Sequence, residues 1–126
     1  MSNKPVFINL LKIRLPLAAF MSISHRLSGV ALFFIVLPFS AYFLDLFLLS
    51  ESSYYLNIQK FHSDFLFRTF VLFCIFIFQF HILSGLRHII HDFHLLPETI
   101  KSATWSAKVT LGLFFINALL TMWVLL

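Results

Sequence analysis

The sequence predicts an all-α membrane protein of three transmembrane helices running up-down-up, its N-terminus on the cytoplasmic or matrix side. Three observations predict it. The chain is 60% hydrophobic and only 11% charged, with a mean hydropathy of +0.95, more apolar surface than a soluble domain of 126 residues can hide. That apolarity is gathered into three stretches of about 18–23 residues, the length of a helix that crosses the hydrocarbon core. The basic residues fall unevenly on the flanks of those stretches.

The first stretch runs from Leu27 to Leu49, broken only by Pro38, small polar residues and Asp45. Pro38 predicts a kink. The second runs from Phe65 to Leu86 with Arg68 near its start, and the third from Val109 to Leu126. With their polar ends, the expected helices cover about 20–49, 63–93 and 106–126, one transmembrane domain over 1–126. Strands are excluded, because lipid requires every backbone group to be satisfied within a helix or a closed barrel, and three segments cannot close a barrel. The first stretch is too long for a cleaved signal core, and no small-residue cleavage site follows it. Residues 50–64 and 92–107 read as polar connections.

Orientation follows from lysine and arginine. Lys4, Lys12, Arg14 and Arg26 precede the first helix, and Arg87, Lys101 and Lys108 lie around the second connection, against Lys60 and Arg68 on the other side. Seven against two places the N-terminus and the second connection in the cytoplasm or matrix. The net charge of +4 therefore reads as topology and lipid contact, not as nucleic-acid binding. The single cysteine, Cys74, excludes an intrachain disulfide and a thiolate-held cluster, and reads as packing. Trp105, Trp123, Tyr42, Tyr54 and Tyr55 read as interfacial belt residues. Asp45 and Asp64 read as helix-end residues.

Ionisable residues inside a membrane are expensive and call for a functional hypothesis. Two clusters carry them. Ser22-Ile23-Ser24-His25-Arg26-Leu27-Ser28-Gly29 opens the first helix, and His81-Ile82-Leu83-Ser84-Gly85-Leu86-Arg87-His88-Ile89-Ile90-His91-Asp92 closes the second. His81, Gly85, His88 and Asp92 share one helical face. Gly85 leaves a notch one turn from His81, where something bulky and flat could lie. His81 and His88 stand about 10.5 Å apart along the axis and cannot ligate one iron. His81 falls about 18 Å from a helix end at Phe93, near mid-bilayer. His25, Arg26, Arg87, His88 and Asp92 are expected in a shallower polar belt, with His81 alone beneath.

A mid-membrane imidazole suits a b-type haem, and the belt suits its propionates. A histidine hydrogen-bonded to a neighbouring helix is the competing reading of His81. Arg26, Arg87 and Lys108, taken singly, read as snorkelling anchors, and His62, His91 and His94 as exposed. No other histidine is expected at the depth of His81, so a six-coordinate iron would need a ligand from another chain. Ser22 and Arg26 could hold a quinone carbonyl.

The first cluster resembles the S-x-x-H-R-x-[ST]-G signature of the cytochrome b anchor subunit of succinate dehydrogenase, and the second resembles its H-x-x-x-G-x-R-H signature, with Asp92 at the following acidic position. Lys4-Pro5-Val6, Ile13-Arg14-Leu15-Pro16 and Ser106-Ala107-Lys108 are similar to further elements of that family. The opening is Lys-Pro where Arg-Pro is usual, and Phe7 and Ile8 replace a more polar pair. The resemblance implies a subunit that anchors the complex, binds haem b and helps to form the ubiquinone-reduction site. It implies His81 as axial iron ligand, paired with a histidine of a second membrane-anchor subunit. It implies Ser22 and Arg26 at the ubiquinone, and His25, Arg26 and His88 near the propionates. It implies an iron–sulfur subunit and a flavoprotein subunit that carry out dicarboxylate oxidation. The location implied is the bacterial inner membrane, or the mitochondrial one for an organelle-encoded chain.

Overall fold

The computed structural model describes residues 15–48 and 50–126, without the side chains of residues 45–47. Lys4, Lys12, Arg14, the Lys-Pro opening with Phe7 and Ile8, and the side chain of Asp45 lie outside the described residues. Five α-helices follow in order: α1 (Leu17–Ala31), α2 (Leu37–Leu48), α3 (Glu51–Ser63), α4 (Phe65–Asp92) and α5 (Ile100–Leu125). A π-helical turn, Leu32–Val36, joins α1 to α2. Three helical spans, Leu17–Leu44, Phe65–Asp92 and Ile100–Leu125, are long and apolar enough to cross a membrane. The described residues form no strand, so the expected all-α class with three long apolar helices is the observed one.

The π turn has a local cause. Pro38 has no N–H to donate to Phe34 and its ring crowds that carbonyl. Just upstream, the Leu37 N–H reaches the Leu32 carbonyl instead, a widened turn that eases the chain past the proline.

The spans alternate in direction. His25 meets Ser84 while Ser28 meets His81, and Phe39 meets Phe70 while Phe43 meets Phe67, so α4 runs antiparallel to α1 and α2. Arg87 meets Ser106 and Gln79 meets Thr121, which turns α5 back again. The central helix α4 packs on both of its neighbours. The seams are narrow and built from small residues. Ser28, Cys74, Ser84, Ser106, Ala107 and Thr110 are buried, while most large apolar side chains face outward. This is membrane logic: lipid is as apolar as leucine, so close backbone approach and interhelical hydrogen bonds drive association.

The polar connection at 50–64 is itself a helix. The Ser50 hydroxyl accepts from the Ser53 N–H, Glu51 lies in the first turn, and α3 packs on α2 and α4. Asp64 then caps α4, accepting from Leu66 and Phe67 N–H groups, as a helix-end residue should. Helix α5 starts at Ile100, ahead of the expected 106, because Thr99 caps it by accepting from the Ser102 N–H. Between α4 and α5, His94 adopts a left-handed φ of 53°. Its N–H bonds the His91 carbonyl and the Leu95 N–H bonds Ile90, a Schellman closure with histidine at the usual glycine position.

Candidate functional site

Both polar clusters meet at the crossing of α1 and α4. The His25 and His81 rings stack at 4.2 Å between centroids with 12° between planes, and His88 stands 5.1 Å from His25 on its other side. The expectation that His81 lies alone beneath a shallower belt is therefore corrected. Depth counted along one helix does not include the tilt and offset of its neighbour, and the crossing sets His25 directly against His81.

Glycine makes the stack possible. A Cβ at Gly29 would come within 3.2 Å of His81 Cε1, and one at Gly85 within 3.2 Å of His25 Cε1. Each imidazole lies over the glycine of the opposite helix. The notch at Gly85 is real, and the flat group that uses it is the His25 ring.

The serines complete a reciprocal arrangement. Ser28 Oγ donates to the His25 carbonyl at 2.7 Å and lies 2.9 Å from His81 Nδ1. Ser84 Oγ donates to the Phe80 carbonyl at 2.7 Å and lies 2.8 Å from His25 Nδ1. A hydroxyl has one hydrogen. Where each serine's hydrogen goes to its backbone carbonyl, the oxygen accepts from the imidazole, and the histidine then carries hydrogen on Nδ1 and, when neutral, a lone pair on Nε2. Neither Nε2 takes part in a hydrogen bond among the described residues. The sequence carried this signal twice, as His25-x-x-Ser28-Gly29 and His81-x-x-Ser84-Gly85. Two short matching runs on antiparallel helices are the mark of a pseudo-two-fold crossing.

The other expected site residues distribute around this core. Ser22 is half-buried one turn before His25, and Arg26 is exposed beside it. His88 is half-buried, with Arg26 and Asp92 within electrostatic reach. Arg87 stays within electrostatic reach of His88 but turns its guanidinium toward α5. It is 7% exposed, donating from Nε to Ser106 Oγ at 3.0 Å and from a terminal nitrogen to the Ala103 carbonyl at 3.1 Å. It is a buried link to α5, not a snorkelling anchor or a member of the belt. His91, expected to be exposed, is half-buried with Nε2 2.9 Å from the same Ser106 Oγ. Ser106 accepts from Arg87 and reaches the Ala103 carbonyl at 3.0 Å, so one hydroxyl gathers Arg87, His91 and its own helix. His94 is exposed and ion-paired with Glu98.

Two cavities flank α4. One of about 270 Å³ lies against α5, lined by Leu86, Arg87, Trp105 and Ser106 among others. One of about 580 Å³ lies against α2, around Phe39, Phe43 and Cys74. Neither is lined by His25 or His81. His81 itself is half-buried.

These features define a class: a three-span helical membrane protein whose central crossing carries imidazoles with unengaged ring nitrogens. Residues 1–121 match the succinate dehydrogenase/fumarate reductase transmembrane subunits. The chain belongs to that family, and so to a multi-subunit dehydrogenase complex in which it is a multi-pass membrane component.

Proposed function

We propose that this chain is the cytochrome b anchor of a succinate:ubiquinone oxidoreductase, holding haem b through His81 and forming part of the ubiquinone-reduction site. The observation that carries this reading is the state of His81. Its Nδ1 lies 2.9 Å from Ser28 Oγ, a pairing that holds the ring by that nitrogen and, with the hydrogen on Nδ1, makes Nε2 the lone-pair nitrogen that an iron ligand needs. The donor set fits the group. A neutral imidazole on a helix deep in the membrane, with Arg26, His25 and His88 nearer its end, suits an iron and two anionic propionates. His25 can donate from Nε2 to a carboxylate only as an imidazolium, and its bond to Ser84 accommodates either form.

A companion anchor subunit would supply the second histidine for the iron, because His25 lies face to face with His81 at 4.2 Å and would not share the metal with it. When bound, haem supplies a one-electron store beside the quinone.

The residues of this chain bind and polarise the quinone. Ser22 and Arg26, one turn apart on α1, donate to a quinone carbonyl oxygen and stabilise the negative charge that grows there. Two electrons from the iron–sulfur subunit and two protons from the cytoplasmic or matrix side convert quinone to quinol. The flavoprotein subunit supplies those electrons by oxidising succinate. The basic flanks set the N-terminus on that same side, in a bacterial inner membrane or, for an organelle-encoded chain, the mitochondrial one.

A reduced-minus-oxidised spectrum of the complex co-purified through this chain tests the haem assignment. A b-type α-band is expected, and its absence defeats the assignment. For the quinone site, Arg26→Leu should lower quinone reduction by about 10²-fold, the scale of losing one charge-stabilising donor, while succinate-driven reduction of a soluble dye persists. Unchanged quinone reduction removes Arg26 from the site.

A further inference from the structure

We infer that Ser28 is a positioning residue for the iron-ligating nitrogen of His81, fixing its tautomer, its ring plane and its donor strength from the neighbouring helix. The inference rests on the haem reading above and goes beyond it, since it concerns a side chain that touches neither iron nor quinone.

The geometry is a relay of two hydrogen bonds. His81 Nδ1 lies 2.9 Å from Ser28 Oγ, and Ser28 Oγ–H donates to the His25 carbonyl over 2.7 Å; in the tautomer that an Nε2-ligating imidazole requires, Nδ1–H donates to that oxygen. The second bond polarises the hydroxyl and makes its oxygen a better acceptor for the first. Electron density withdrawn from the Nδ1–H bond accumulates on the ring, and Nε2 becomes a stronger donor. A partner at this position fixes a ligating histidine's tautomer and raises its basicity. Ser28 is buried, so water does not compete for either bond. Gly29, the next residue, lies beneath the His81 ring, so one turn of α1 sets both the orientation and the electronics of the imidazole. A stronger donor favours the ferric state, which requires that loss of Ser28 move the haem potential upward.

The fold supplies its own control. Ser84 stands in the same relation to His25, a ring that does not ligate iron in this reading. Ser28→Ala and Ser84→Ala remove the same kind of atom from the same crossing; Ser84 also reaches the His81 carbonyl at 3.2 Å, a backbone contact, but only Ser28 pairs with the His81 ring.

The experiment is a redox titration and low-temperature electron paramagnetic resonance of the assembled complex. Ser28→Ala is expected to raise the ferrous/ferric ratio about tenfold at fixed potential, which is about 59 mV for one electron, and to shift the low-spin haem signal. Ser28→Thr, which retains the hydroxyl, is expected to restore most of the parental potential. Ser84→Ala is expected to shift it by less than half as much. Should Ser28→Ala fail to assemble, Ser28→Cys takes its place, because the thiol is a weaker acceptor of similar size, and it should shift the potential upward by a smaller amount. Haem present at an unmoved potential in Ser28→Ala or Ser28→Cys overturns the inference, as do equal shifts from Ser28→Ala and Ser84→Ala. A parental complex without any b-type band defeats the haem reading itself, a result distinct from both.

Discussion

Helix α4 has two seams built from the same residue types, and they are finished differently. Toward α5, the Arg87 Nε–H and the His91 Nε2 converge on one Ser106 hydroxyl, and further along Gln79 donates to Thr121 while its buried Oε1 meets no partner among the described residues. Toward α1, each of two serines takes one imidazole, and the two rings stack at 4.2 Å. The α4–α5 seam gathers its polar groups on hydroxyls of the neighbouring helix. The α1–α4 seam instead sets two imidazoles face to face.

The largest effect should come from the α1–α4 seam. His81→Leu removes the proposed iron ligand and should abolish the b-type α-band of the assembled complex. Arg87→Met, an apolar replacement at the α4–α5 seam, should retain the band, because buried charge replaced by a well-packed apolar chain is often tolerated. Difference spectra of the two variants check this. A retained band in His81→Leu would remove the distinction between the seams.

Next in size is a break within the α4–α5 seam. Ser106→Ala leaves the buried Arg87 Nε–H without its acceptor and the His91 Nε2 without its partner. Stranding a buried donor costs about 1–3 kcal/mol, more when it is charged, so a loss of about 2–3 kcal/mol is expected. Thermal unfolding in detergent measures it. The haem potential should not move, since Ser106 touches neither stacked ring.

Smaller still are the glycine substitutions at the crossing. Gly29→Ala and Gly85→Ala each bring a methyl to 3.2 Å from an imidazole carbon, a crowding that a shift of a few tenths of an ångström relieves. Each should cost about 1 kcal/mol, the low end for overpacking. They should part in spectroscopy. Gly29→Ala presses on His81 and should alter the low-spin haem signal, whereas Gly85→Ala presses on His25 and should leave it nearly unchanged. Equal spectral changes would show that the two rings move as one body.

The sequence disclosed the parts of this arrangement that are summed or local. Hydropathy accumulates over about 20 residues per span, so three spans were plain. His25, Arg26, Ser28 and His81 stood out because polar groups in apolar runs are few. What it did not disclose is azimuth across helices. Arg87 and His88 are adjacent and equally deep, so one belt was the natural expectation, yet about 100° of helical rotation sends one to α5 and the other to α1. His91 went the way of Arg87 for the same reason. The pairing of Ser28 with His81 depends on the crossing register, which spacing within one helix cannot supply, although the duplicated His-x-x-Ser-Gly run was there to be read. Helix α3 was hidden because a polar helix lacks an apolar stripe, while its Ser50 cap was visible.

The smallest expected effect lies away from both seams, at Gly112 on the outer face of α5. A Cβ there meets nothing within 4 Å, in contrast to the two glycines of the crossing. In a helix interior alanine is preferred to glycine by about 1 kcal/mol, so Gly112→Ala should raise the unfolding temperature slightly and leave haem content, potential and quinone reduction unchanged. The three glycines then separate by role: two are small because an imidazole needs the space, and one faces outward with no such demand from this chain. If Gly112→Ala instead prevents assembly of the complex while the isolated chain folds normally, a partner helix is seated against that glycine. Co-purification of the companion chains with the variant distinguishes the two results.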